Sequence, residues 1–149
     1  MQSNMKFRIL IPCLTVGLIL AACQPGPAQD NKAAAAETKA AGPVKQVLAP
    51  QLFQEKLAAM TGAQIIDVRT PAEYAQSHLQ GAKNIDVKNQ SFTTQIESLD
   101  KTRPVYLYCQ SGIRSANAAS ILSQSGFQEI YDMQGGMRRW QAEGRKTEK

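Results

Sequence analysis

Between residues 44 and 145 the chain alternates short apolar, β-rich runs with stretches whose apolar residues recur at helical spacing. That alternation suggests a parallel α/β sheet, because each parallel strand must be followed by a crossover that covers one face of the sheet. The predicted strands are Val44–Leu48, Gln64–Val68, Asn84–Val87, Pro104–Tyr108 and Gln128–Tyr131, with Ile65 and Ile66 in the core. After Pro50, Leu52, Phe53, Leu57 and Met60 mark a helix whose start is poorly capped by Ala49. Thr70-Pro71-Ala72-Glu73 fits a capping box, with Thr70 as N-cap, Pro71 at the first helical position and Glu73 at the third. That helix is predicted to stop near His78, where Gly81 allows the turn onward. Phe92, Ile96 and Leu99 mark a short helix, and Ser115 to about Ser125 a longer one ended by Gly126. Gly135 and Gly136 precede a last helix that ends near Gly144, and residues 146–149 are expected to fray.

Composition removes several classes of function. With 43% hydrophobic and 19% charged residues, the chain has enough apolar surface for a folded domain. Its surplus of 17 Lys+Arg over 12 Asp+Glu is mild and spread out, so no nucleic-acid partner is expected. Three cysteines, at 13, 23 and 109, are too few for a disulfide scaffold. With a single His they also form no metal-ligand cluster, so no metal is expected. No glycine loop of the nucleotide-binding kinds is present, and no cofactor is expected.

Residues 1–22 read as an export signal. Lys6 and Arg8 supply the positive region, and Ile9–Leu20 is an apolar run of 12 residues broken by Pro12 and Gly17. A membrane span needs roughly 20 residues. The run ends in Leu20-Ala21-Ala22-Cys23, which resembles the bacterial lipoprotein signal. The resemblance implies cleavage before Cys23, lipidation of that cysteine, and a periplasm-facing domain anchored in the cell envelope through its N-terminal lipid. Gln24 in place of Asp points to the outer rather than the inner membrane in a Gram-negative cell. An ordinary signal peptide and an uncleaved anchor are the alternatives. Residues 24–43 hold seven Ala, three Pro and two Gly and read as a flexible tether after Cys23. As a coil it would reach about 25 Å. The mature chain would then keep one free thiol, Cys109.

Tyr108-Cys109-Gln110-Ser111-Gly112-Ile113-Arg114-Ser115 runs from a strand's carboxyl end into a helix, where open α/β sheets bind ligands. Successive backbone N–H groups in such a loop can curl around one point, and the positive end of the helix adds to them. Gly112 permits the curl, Arg114 is the nearby cation, and Ser111 and Ser115 offer hydroxyls. All of these favour thiolate over thiol at Cys109. A packed core cysteine followed by a routine turn is the structural alternative. Cys109 to Arg114 is six residues counted inclusively.

The loop resembles the active-site loop of rhodanese-family sulfurtransferases. Ile66-Asp67-Val68-Arg69, Glu73-Tyr74 and His78-Leu79-Gln80-Gly81-Ala82-Lys83-Asn84-Ile85 look like that family's first signature, and Gly135-Gly136-Met137-Arg138-Arg139-Trp140 like its closing one. Ser77 stands where the family often has Gly. The resemblance implies a five-stranded parallel sheet with helices on both faces. It also implies ping-pong chemistry, in which Cys109 takes a sulfur from a small anionic donor such as thiosulfate and hands it to cyanide or a thiol. Gln110 through Ser115 would hold the persulfide, and Asp67 and Arg69 would brace the loop. A salt-bridge role for Arg69 is at least as good a reading as substrate contact. Glu73 reads as a cap, His78 as a hydrogen-bonded structural residue, and Trp140 as core. Tyr106 and Tyr108 read as alternating strand residues, and Arg138-Arg139 as a solvated face or an aid to anionic donors. The domain is expected to be monomeric. A sulfur-sensing or persulfide-carrying module with little turnover is one alternative, and a phosphatase or arsenate reductase on the same scaffold is another.

Overall fold

The computed structural model describes residues 42–149, so the expected signal peptide, Cys23 and nearly all of the tether lie outside the described residues. Ten elements follow in order: β1 Val44–Leu48, α1 Pro50–Ala59, β2 Gln64–Asp67, α2 Pro71–Gln76, β3 Lys83–Asn84, α3 Phe92–Ile96, β4 Val105–Tyr108, α4 Ile113–Gln124, β5 Glu129–Met133 and α5 Gly136–Ala142. The five strands form one sheet in the order β1-β5-β4-β2-β3, and every pairing is parallel. The expected fold class is the observed one.

The central strand β4 is buried along its whole length, as a strand covered on both faces must be. Alternate residues serve opposite layers. Val105 and Leu107 join Ile66 and Ile130 under Phe92 and Ile96 of α3 and Ala118, Ala119 and Leu122 of α4. Tyr106 and Tyr108 join Leu48, Tyr131 and Met133 under Phe53 of α1 and Met137 and Trp140 of α5. Helices therefore cover both faces. The chain leaves β2 toward β3 at one edge and leaves β4 toward β5 on the other side, so the loops after β2 and β4 diverge over a crevice. Arg69 and Cys109 stand at its two lips.

Local chemistry explains several element boundaries. α2 opens with the expected reciprocal box: Thr70 Oγ1 accepts from Glu73 N–H, and Glu73 Oε2 accepts from Thr70 N–H at 3.1 Å. α1 has no side-chain cap at Ala49, as its sequence implies. β3 is shorter than the expected Asn84–Val87, because Asp86 accepts from the Lys88 N–H and begins a turn. α4 begins at Ile113 rather than Ser115, because Gly112 adopts a left-handed φ of 97° and caps the helix itself. β5 extends to Met133, which carries Asp132 into the sheet opposite Leu107 of β4.

The expectation of a frayed tail at 146–149 is corrected. Glu148 and His78 exchange backbone hydrogen bonds of 2.8 and 2.9 Å, and the Trp140 indole N–H donates to the Lys146 carbonyl. The tail thus pairs through its backbone with His78 in the turn after α2.

Phe53 has no exposed surface and meets Tyr106 edge-on at 5.2 Å. Phe53→Ala is expected to lower unfolding free energy by about 3–5 kcal/mol in denaturant titration. A loss below about 1 kcal/mol would show that α1 is not essential to this layer.

Candidate active site

The loop that follows β4 is shaped from outside. Cys109 O accepts from Met137 N–H at 2.8 Å, and Gln110 O accepts from Arg138 N–H at 3.0 Å. These donors are otherwise unpaired N–H groups at the start of α5. A trans peptide places its N–H opposite its carbonyl. Drawing the carbonyls of Cys109 and Gln110 outward therefore turns the N–H groups of Gln110 and Ser111 inward. Gly112, left-handed, then brings its own N–H to 3.1 Å from Cys109 Sγ. Gly136 allows the approach of α5: a Cβ there would lie 2.2 Å from the Cys109 carbonyl oxygen.

Cys109 is a free thiol with no exposed surface. Its burial alone would push the thiol up, but hydrogen bonds from the Ser115 hydroxyl and from the N–H groups of Ser115, Ser111 and Gly112 outweigh it. The net effect is a thiol held below its ordinary range. The cysteine of a purely apolar core would be shifted the other way. Ser115 is itself fully buried, and its Oγ donates to the Gly112 carbonyl at 3.1 Å.

Two ion pairs flank the loop. Arg114 places Nη1 and Nη2 each 2.7 Å from the two carboxylate oxygens of Glu73. This fork holds the Glu73 carboxyl down at about 2, with help from the Thr70 cap. Arg69 and Asp67 form a buried pair with contacts of 2.6–3.0 Å. Arg69 also donates to Gln110 Oε1 at 3.2 Å and to the Ser77 carbonyl at 2.6 Å, which ties the β2 lip to the β4 loop. Ile113 is 79% exposed, on the first turn of α4 beside the loop.

The structure thus brings together Cys109, Gln110, Ser111, Gly112, Arg114, Ser115, Asp67 and Arg69, with Ile113 on the outer rim. His78 stacks on Tyr74 at 3.8 Å and its Nδ1 meets the Tyr74 carbonyl at 3.0 Å, a structural setting. Trp140 is buried in the core layer. No cluster of metal-ligating side chains occurs among the described residues. Sequence reasoning missed the Glu73–Arg114 pair, because Glu73 was fully accounted for as a cap. It also missed Asp132, a buried carboxyl on β5 raised to about 6, above all by its burial.

The chain matches the family model of the rhodanese-like domain over residues 50–143. It is 34% identical over 97 residues to the thiosulfate sulfurtransferase GlpE of Pseudomonas paraeruginosa, covering 65% of this chain and 84% of that protein. It is 41% identical over 78 residues to the uncharacterized protein YqhL of Bacillus subtilis, covering 52% of this chain and 60% of that protein's length. Among solved structures, it is similar to a rhodanese-related protein from Thermoplasma volcanium. The TM-score there is 0.62 at 26% identity, with 69% of this chain and 97% of that one covered.

Two outcomes follow from this geometry. Gly136→Ala is expected to lose at least about 2 kcal/mol of stability and to return the Cys109 thiol toward its ordinary range, since its φ is left-handed and its Cβ would strike the loop. Thermal melts and pH-dependent alkylation would measure both, and an unaltered Cys109 titration would contradict the outside-in account of the loop. Glu73, depressed from 4.5 to about 2, contributes stability that is complete above pH 4.5 and is lost as pH falls through about 2. Glu73→Gln should therefore destabilise at neutral pH and flatten the acid limb of the stability profile, as read by denaturant midpoints.

Proposed function

Because this chain belongs to the rhodanese-like family, we propose that it is a sulfurtransferase working through a persulfide on Cys109. The Cys109 thiolate attacks the outer sulfur of a donor such as thiosulfate. A Cys109 Sγ–S bond forms, the donor's S–S bond breaks, and sulfite leaves with the electron pair. The terminal sulfur of the resulting persulfide carries the negative charge, which the inward N–H groups of the 110–115 segment stabilise. Cyanide or a thiolate then attacks that terminal sulfur, and Cys109 leaves as thiolate. No proton need be supplied to either leaving group. The observation that carries this reading is the buried Cys109 sulfur accepting from the Gly112 N–H at 3.1 Å, in a loop whose amides hold its thiol below the ordinary range.

Arg114 speaks against the phosphatase or arsenate reductase alternative. A phosphoryl-transfer loop uses its arginine fork on the equatorial oxygens of the transferred group. Here both terminal nitrogens of that fork are taken by Glu73. The six-residue loop from Cys109 to Arg114 is also one residue shorter than that of the rhodanese-fold phosphatases it resembles, and a smaller ring suits a single sulfur better than a phosphoryl group. A second reading, a persulfide-carrying module with slow turnover, is favoured by the enclosure of Cys109, which leaves a donor only the half-buried rim at Gln110, Ser111 and Gly112.

Incubation with thiosulfate is expected to add the mass of one sulfur atom at Cys109, removable by cyanide. Thiocyanate production is expected to vanish in Cys109→Ala. Absence of the adduct overturns both readings; an adduct without steady turnover selects the carrier. The lipoprotein motif at residues 20–23 supports a cell-envelope anchor through Cys23, with the outer membrane the better match. Cys23→Ser should release the protein from the membrane fraction, and retention there would refute lipidation.

A further inference from the structure

The Cys109 loop and the segments bonded to it, the β2 lip and α5, carry four arginines, and three are committed to protein partners. Arg69 is buried against Asp67 and also bonds Ser77 O and Gln110 Oε1. Arg114 puts both terminal nitrogens on Glu73. Arg139 of α5 donates to Glu143 Oε1 at 3.0 Å and to Gln134 Oε1 at 2.6 Å. Arg138 differs from all three. It is exposed, and among the described residues its guanidinium has no hydrogen-bond or ion-pair partner. Its backbone is nevertheless tied to the site, since Arg138 N–H donates to Gln110 O at 3.0 Å. The side chain leaves from the carbon bonded to that nitrogen, so it starts beside Gln110. Gln110, with Ser111 and Gly112, forms the half-buried rim over a sulfur that has no exposed surface. The carboxylates flanking the loop, Asp67 and Glu73, are each matched by an arginine, and Glu143 by Arg139 and Arg145. The charge of Arg138 is therefore not cancelled, and an anion approaching the rim meets a positive field.

We propose that Arg138 is a specificity-determining residue for an anionic sulfur donor: its guanidinium draws the charged end of the donor to the rim, and the donor's outer sulfur is left to meet Cys109. Arg139, the next residue, takes no part, because its nitrogens are engaged by Gln134 and Glu143. Successive residues of a helix point about 100° apart, so the two arginines are not interchangeable. One braces its own helix, and the other serves the rim. The donor class is a small anion whose charge lies away from the transferred sulfur, as in thiosulfate. A neutral donor gains nothing from Arg138. The proposal deepens the sulfurtransferase reading and rests on Cys109 being the reactive sulfur.

The test compares two reagents of similar size at Cys109 of the full chain: iodoacetate, an anion, and iodoacetamide, which is neutral. Mass spectrometry resolves the alkylated residue, so the other cysteines do not contribute. Arg138→Gln should lower the iodoacetate-to-iodoacetamide rate ratio about threefold or more, the order expected for one unit charge a few ångströms from another in water. The iodoacetamide rate should stay as it is, because the Arg138 N–H that shapes the loop is untouched. Arg138→Lys should keep most of the ratio, and Arg139→Gln should leave it at the wild-type value. An unchanged ratio in Arg138→Gln overturns the proposal. So does an equal loss with both reagents, which would reveal a disturbed loop, and so does an equal fall in Arg139→Gln, which would reveal a diffuse surface charge. If the variant fails to fold, the wild-type chain answers through salt. At 1 M salt, where the Debye length is about 3 Å, its ratio should fall, and a ratio that holds or rises overturns the proposal. In turnover, the thiosulfate KM should rise by the same factor in Arg138→Gln with kcat unchanged, and an unchanged KM overturns the proposal. Neither alkylation measurement contains a sulfur donor, so a failure of sulfur transfer and a failure of this steering are read separately.

Discussion

Two main-chain hydrogen bonds carry the site: those from Met137 and Arg138 N–H to the carbonyls of Cys109 and Gln110. They convert a routine strand-to-helix turn into a ring of dipoles, because a planar peptide cannot turn one end outward without turning the other in. The closing Gly135-Gly136 pair has its physical reason here. Gly136 sits with φ of 58° at a contact where no side chain fits, so the glycine is dictated by a neighbouring loop rather than by its own helix.

Charge is arranged around this ring rather than inside it. Arg69, beside the loop, pairs with Asp67, and Arg114, the last of its six residues, pairs with Glu73. Both terminal nitrogens of Arg114 are engaged by Glu73, and the sulfur takes an uncharged donor, the Gly112 N–H at 3.1 Å. Such donors favour a small, polarisable anion without presenting a fork that would seize a phosphate. Arg69 serves both sides of the crevice, since its guanidinium bonds Ser77 O on the β2 side and Gln110 on the β4 side.

What could be read from residues alone was what local chemistry decides. The capping box at Thr70, the strand ending at Tyr108 and the glycine-assisted curl at Gly112 each follow from neighbours a few positions apart. What escaped depends on strand order. Glu73 and Arg114 are 41 residues apart and meet only because β2 and β4 are adjacent. Asp132 is invisible as a core residue until β5 is known to run on to Met133. The tail looked frayed because its polar residues have no apolar face to bury. It is held instead by backbone pairing with His78, which no side-chain pattern announces.

The chain's one tryptophan lies on α5, the same short helix whose first turn grips the loop. Trp140 is buried, packs edge-on near Phe53 and carries the Arg145 guanidinium over its ring at 5.4 Å. A displacement of the loop that pulls on Met137 or Arg138 is passed within one turn to that indole. The molecule thus contains an intrinsic optical gauge of its Cys109 loop, in which a change of emission colour or intensity reports displacement of that loop without any added label.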